Sequence, residues 1–416
     1  MTLNASSSVL TWHDYVIFIV TLAISSLIGI RFGCFGTRQA TAREYLLAGK
    51  NMKILPIAVS IAVSHFSGIL ILGLPAEVHR YGASAWLLPV AYMVMGLLGV
   101  FVYLPVFFKL QLTNTYEYLE RRFDRKTRIL SFIFYMVTEI LFYPMYVYTP
   151  ALTFATASGV NVHLAAVVLS AVCIFYTAIG GLKTVLWTDI FQYGVIILSL
   201  TVICTVGFKL SEGFSSVWKA ASDGQLLQTF DFSLDITVRH GCWGITLGQG
   251  IQLAAGIVVH QTGVQKYLAL SKFVDSMWVV VCTSISMFFV ATLCVFIGLL
   301  TYSKYKDCDP LTSRIISKHD QLLPYYVGEI AKNLPGVSGL LITTVSCASL
   351  SSMSSSLNAL SAVVYKNLVY FFFKDTPSEK KAATILKLIV LIMGILCSLL
   401  VLIVDQLGEI ISIFLL

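Results

Sequence analysis

The chain has 416 residues, 57% of them hydrophobic and 12% charged, with a mean hydropathy of +0.84. A soluble domain carries about 25% charged residues, so this composition excludes an ordinary water-soluble enzyme or binding module. The net charge of +7 reflects a one-sided bias of basic residues across a membrane and calls for no nucleic-acid partner.

Apolar runs long enough to cross about 30 Å of hydrocarbon recur along the sequence. Ten spans are predicted, at 11–30, 54–74, 83–108, 129–156, 161–180, 188–208, 241–262, 276–302, 336–372 and 384–405. An eleventh apolar run opens at Ile410. The first run is too long, and wrongly flanked, for a cleaved signal peptide. Lysine and arginine collect on the cytoplasmic side. With the N-terminus outside, the inner segments hold eighteen basic residues and the outer segments nine, Lys366 lying within a span. Asn4, in Asn4-Ala5-Ser6, is then an outward-facing glycosylation acceptor. Nine cysteines include no C-x-x-C pair, so no disulfide framework or zinc site is expected.

Two spans read as broken. The second, LPIAVSIAVSHFSGILILG, carries Ser60, Ser64, His65, Ser67 and Gly68 across its middle. The seventh, GCWGITLGQGIQLAAGIVVHQ, has glycines at 241, 244, 248, 250 and 256. Glycine and polar groups at mid-depth suit backbone that lines a cavity, and interrupted spans at matching places in two halves point to a transporter's binding site. Close helix packing is the alternative use of the same glycines. On the fourth span, Glu139 precedes the run EILFYPMYVYTP, which its prolines are expected to break. His65 reads either as a pH-sensitive group or as a satisfied core histidine.

The ninth span, SCASLSSMSSSLNALSAVV, holds eight serines between Ser346 and Ser361. On a helix, Ala348, Ser351 and Ser352 share a face, and Ser355 extends it by a turn. A carbonyl and hydroxyls at one place suit a hard monovalent cation held weakly enough to leave. The other reading is tight packing by small residues, with each hydroxyl bonded to its own backbone.

This span resembles the matching span of the sodium/solute symporter family, and YTAIGGLKTVLWTDIFQ (176–192) resembles that family's signature. The stretches LPIAVSIAVSHFSGILILGLPAEVHRYGA (55–83), HQTGVQKYLA (260–269) and CDPLTSRIISKHDQLLPYYV (308–327) are similar to the branch carrying monocarboxylates, the vitamins biotin and pantothenate, and iodide.

The resemblance implies an all-α multi-span membrane protein. Its fold would be a leucine-transporter-type five-plus-five inverted repeat with one extra N-terminal helix. Residues 1–53 would form the outer N-terminus, first span and basic inner loop, 54–208 the first repeat, 209–240 an outer loop, and 241–416 the second repeat. Chains of the family run on past the eleventh span, so the second repeat is expected to be incomplete here. Carried over by position, Na⁺ would be held by carbonyls of Val63, Phe66 and Ala348 and hydroxyls of Ser351 and Ser352. Asp189 and Gln192 would tune or gate that region, although a helix cap is the plainer reading of Asp189. Leu70, Gln252 and Gln261 would line the solute cavity. His260 stands where close relatives tend to have asparagine.

The implied function is sodium-coupled symport of small organic anions across a plasma membrane. The rival is a non-transporting sensor, regulatory protein or truncated paralogue with the same fold. An enzyme is not expected, since the sequence lacks H-E-x-x-H, G-x-S-x-G and G-x-x-x-x-G-K-[ST]. Nothing in the sequence fixes the oligomeric state, the anion or the sodium stoichiometry.

Overall fold

Backbone immersed in hydrocarbon must satisfy its own N–H and C=O groups, which leaves helices as the ordered solution for apolar runs of this length. A computed structural model describes residues 10–35, 41–112, 114–227, 231–233, 235, 241–332, 334–372 and 377–404. Asn4 and the run opening at Ile410 lie outside the described residues.

In chain order the helices are α1 (Trp12–Cys34), α2 (Ala42–Leu47), α3 (Ile54–His65), α4 (Gly68–Tyr81), α5 (Leu87–Val102), α6 (Leu104–Leu110), α7 (Thr115–Arg122), α8 (Arg125–Ser158) and α9 (Val162–Leu210). There follow α10 (Phe214–Asp223), α11 (Gly250–Val258), α12 (Gln261–Tyr267), α13 (Phe273–Tyr305), α14 (Leu322–Ile330), α15 (Val337–Phe372), α16 (Glu379–Leu399) and α17 (Val401–Val404). Among the described residues there is no strand. Among the described residues seven helices are long and apolar enough to cross a membrane, which makes this a multi-pass membrane protein.

The 49-residue α9 contains the fifth and sixth predicted spans. Its backbone leaves the helix at Gly181 (φ 54°, ψ −152°). A Cβ there would lie 2.7 Å from the Tyr45 carbonyl oxygen, so both the dihedrals and the approach of α2 require glycine. Tyr45 locks the junction by donating its hydroxyl proton to the Thr177 carbonyl at 3.1 Å.

Lipid tails give apolar helices little reason to associate, so close approach at small residues carries much of the packing. On α1, Gly29 and Gly33 lie directly against Tyr176 and Ile179 of α9. Burial orders the bundle. The most apolar stretch of α15 is 89% buried, against 22% for α1, so the serine-rich helix runs through the centre. The periphery exposes large apolar side chains such as Leu27, Phe101, Phe134 and Phe289, the surface lipid would cover.

Two local expectations are corrected. Pro144 and Pro150 do not break the fourth span, because α8 continues through both. A proline in a membrane helix is tolerated where neighbouring helices and hydroxyls compensate the lost bonds; here the Thr149 hydroxyl donates to the Met145 carbonyl at 2.9 Å. The glycine run of the seventh span is also helical, adopting a π-helical turn over Gly244–Gln249. That span is interrupted further on, at Val259–His260, between α11 and α12.

Candidate functional site

The second span breaks between α3 and α4. Phe66 ends α3 with φ −88° and ψ 83°, and Gly68 opens α4. Glycine belongs at 68 because α15 passes close by: an added Cβ would sit 2.6 Å from Ser349 Oγ and 2.9 Å from Val345 Cγ1. The break therefore lies against the serine helix. Val63 and Phe66 are buried there, at the end of α3 where carbonyls lose their helical partners.

The serines divide by face. Ser352 donates to the Ser64 carbonyl at 3.0 Å and to the Ala348 carbonyl at 3.1 Å. Ser351 Oγ lies 3.3 Å from Ser64 Oγ, and Ser355 Oγ lies 2.8 Å from it. Ser351, Ser352 and Ser355 thus converge on Ser64 of α3, as their helical spacing predicts, and Ser352 ties the Ala348 carbonyl to the same face. Ser354 and Ser361 instead donate to the carbonyls of Ser351 and Asn358 within their own helix. For those two, plain helix packing is the sufficient account.

The converging donors are carbonyl and hydroxyl oxygens, the ligand chemistry that a hard cation takes. Among the described residues no group of three or more His, Cys, Asp or Glu gathers as a metal site.

Asp189 lies inside α9, far from either end, and is fully buried. A helix cap is therefore ruled out as its role. Ser60 of α3 donates to its Oδ2, whereas Oδ1 is buried without a hydrogen-bond partner. Gln192, one turn along, is also fully buried, and neither of its amide atoms has a partner. Polar groups this deep cost free energy unless something satisfies them, and Asp189 faces α3 through Ser60.

The partner that sequence reading missed is Lys266. It lies between the predicted seventh and eighth spans, yet it is 1% exposed. Its Nζ donates to the Ser60 carbonyl (3.0 Å), Ser64 Oγ (2.6 Å) and Ser355 Oγ (2.8 Å), and pairs with Asp189 Oδ2 at 3.5 Å. The apolar run that follows it, Tyr267 to Leu270, was the available signal.

The solute candidates are dispersed. Leu70 is partly buried on α4, packed against the main core, and Gln252 is exposed on α11. Gln261 is fully buried at the start of α12, where its Oε1 accepts from the Thr115 backbone N–H at 3.0 Å and from Thr115 Oγ1 at 3.2 Å. His65 Nδ1 lies 2.8 Å from the Ile61 carbonyl, a bond within its own helix. Ser356 donates to Glu139, and His260 Nε2 approaches the same carboxylate at 3.7 Å.

Known proteins resemble this chain in sequence and in fold. The chain is 35% identical over 390 residues to the mouse (Mus musculus) sodium-coupled monocarboxylate transporter 1, covering 94% of this chain and 64% of that protein. It is 36% identical to the human (Homo sapiens) sodium-coupled monocarboxylate transporter 2, over 92% of this chain and 62% of that one. Identity to the rabbit (Oryctolagus cuniculus) sodium-dependent multivitamin transporter is 32%, over 96% and 63%. The chain thus spans less than two thirds of the length of these relatives. A solved Na⁺-coupled sialic acid symporter, in a substrate-bound outward-open state, superposes with a TM-score of 0.86 at 22% identity, over 95% of this chain and 83% of that one. At that identity the likeness is one of fold, the leucine-transporter type. The profile of the sodium:solute symporter family matches residues 45–416, and the chain belongs to that family.

Proposed function

We propose that this chain forms the ion- and solute-binding body of a sodium-coupled symporter for small organic anions in a plasma membrane, with its N-terminus outside. The observation that carries the proposal is the convergence of Ser351 and Ser352 on Ser64 beside the α3–α4 break, with Ser352 also donating to the Ala348 carbonyl. Sodium would be held there by the carbonyls of Val63, Phe66 and Ala348 and the hydroxyls of Ser351 and Ser352. It would join α3 to α15 and so bias the bundle toward the form that accepts solute. The solute would lie beside Leu70 and Gln252, between the two interrupted spans, with Gln261 positioning α12 through Thr115. Asp189 and Gln192 would act on the ion electrostatically and in gating.

The energetics set a condition on stoichiometry. A potential of 100 mV is worth about 2.3 kcal/mol per charge, and a tenfold sodium gradient adds about 1.4 kcal/mol. A monovalent anion moving with one Na⁺ carries no net charge and loses the voltage contribution. Concentrative uptake of such an anion favours two or more sodium ions per cycle.

The test is uptake of labelled lactate, pyruvate, biotin and iodide by cells expressing the chain, with sodium exchanged for choline. Sodium-dependent uptake that Ser351→Ala/Ser352→Ala abolishes is the expected result. Absence of uptake at verified surface expression would refute transport. If sodium still bound, the non-transporting sensor reading would take its place.

A further inference from the structure

α12 is a seven-residue helix held by three side chains, each reaching a different part of the bundle. Gln261 accepts from Thr115 of α7, Gln265 Nε2 donates to the Leu46 carbonyl of α2 at 2.9 Å, and Lys266 reaches α3, α9 and α15. The last of these is the unusual one. An ammonium has three protons, and all three are used, on the Ser60 carbonyl, Ser64 Oγ and Ser355 Oγ. The hydroxyls are thereby oriented. Ser64 accepts from Lys266 and donates to the Ser60 carbonyl at 2.6 Å. Ser355, accepting likewise, has its proton free for Ser64 Oγ.

None of these groups is a proposed sodium ligand, but Ser64 touches that set and Ser355 extends its face by one turn. Ser64 accepts from Lys266 through its hydroxyl and from Ser352 through its carbonyl, and Ser351 lies 3.3 Å from that same hydroxyl. A cation seated on Ser351 and Ser352 would draw on the lone pairs of a network the ammonium already polarises. In this low-dielectric surrounding the two positive charges would also repel each other strongly.

We infer that Lys266 is a tethered cation that competes with sodium. When its ammonium holds Ser60, Ser64 and Ser355 and pairs with Asp189, α12 is fastened across α3, α9 and α15 and sodium is disfavoured. When sodium takes the serine face, the ammonium gives up Ser64 and Ser355, which adjoin the sodium ligands, and α12 is loosened. Lys266 is thus a positioning residue that links ion binding to movement at the second interrupted span. The inference rests on the proposed sodium set, and its test separates the two.

The measurement is the thermal stability of the purified chain in detergent, titrated with sodium chloride against choline chloride at constant ionic strength. Lys266→Met removes the ammonium at similar length and should lower the half-saturating sodium concentration about tenfold or more, the weight of one hydrogen bond to a charged group. Lys266→Arg keeps the charge and should stay near the unaltered chain. Ser355→Ala leaves both charges and the proposed sodium ligands in place, loosens the ammonium by one bond, and should shift half-saturation in the same direction. Should Lys266→Met fail to fold, Ser355→Ala decides. Unaltered or weaker sodium binding in these folded variants, beside a sodium-responsive unaltered chain, would overturn the competition and leave the symport reading standing. A sodium response gained only on removing Lys266 would support the competition while contradicting sodium binding by the unaltered chain. No response in any chain would overturn both.

Discussion

Gly68→Ala puts the geometry at the break directly under strain. Gly68 opens α4 where it meets α15, and a Cβ there would lie 2.6 Å from Ser349 Oγ, 2.9 Å from Val345 Cγ1 and 3.1 Å from the Val345 carbonyl oxygen. The Ser349 hydroxyl can rotate aside, but the Val345 carbonyl is fixed within the helix, so α4 and α15 must part. Overpacking of this kind costs about 1–3 kcal/mol. If the strain is relieved by the helices separating beside the sodium ligands, it appears as sodium affinity weakened by about 5- to 150-fold. Gly73 is the internal control: it lies on the same helix, yet a Cβ there meets nothing within 4 Å. The assay is sodium-dependent thermal stabilisation of the two variants in parallel. The reasoning predicts a large rise in half-saturating sodium for Gly68→Ala and none for Gly73→Ala. Equal sodium affinities in the two folded variants would refute it.

Three further outcomes follow from particular contacts. Gly181→Ala combines a left-handed φ with a 2.7 Å approach to the Tyr45 carbonyl, so it should destabilise the chain by about 3 kcal/mol or more, read as loss of monodisperse protein on heating; an unchanged melting temperature contradicts that. Gln261→Leu strips the Thr115 backbone N–H of its acceptor and should cost about 1–3 kcal/mol, seen as a lower melting temperature in sodium and choline alike. Burial holds the His79 imidazole below its ordinary 6.5, against the opposing pull of Asp309 at 3.6 Å and with His319 adding to the lowering. The unfolded chain therefore takes up the proton first, and stability should fall as pH drops below about 6.5. His79→Gln should flatten that slope between pH 7.5 and 5, and an identical slope would count against it.

Much of this architecture is written in the sequence, because hydrocarbon imposes so few solutions. Run length and polarity located the spans, and Ser64 to Gly68 marked the break that α3 and α4 make. Helical spacing placed Ala348, Ser351 and Ser352 on one face. The misreadings share a cause, which is that local signals were judged without neighbours. The glycines at 244, 248 and 250 suggested an interruption, but Gly250 abuts Met95 of α5 and the run stays helical. The interruption falls instead beside His260, which accepts from the Thr262 backbone N–H as the cap of α12. Pro144 and Pro150 suggested a broken helix, yet α8 continues through both. Lys266 looked like one more basic residue marking the inner side. Its burial depends on Asp189, 77 positions away in sequence, and on Ser60, Ser64 and Ser355 from two other helices. No periodicity in a single segment encodes such a meeting.

The most direct test of the account is equilibrium binding of radioactive sodium to the purified chain, unaltered and as Ser351→Ala/Ser352→Ala. Neither substitution removes a charge, and alanine suits a helix interior, so the variant should fold. The account predicts saturable sodium binding by the unaltered chain, with potassium a poor competitor, and its loss in the double variant. Sodium bound equally well by both would contradict the assignment of the ion to the serine face of α15.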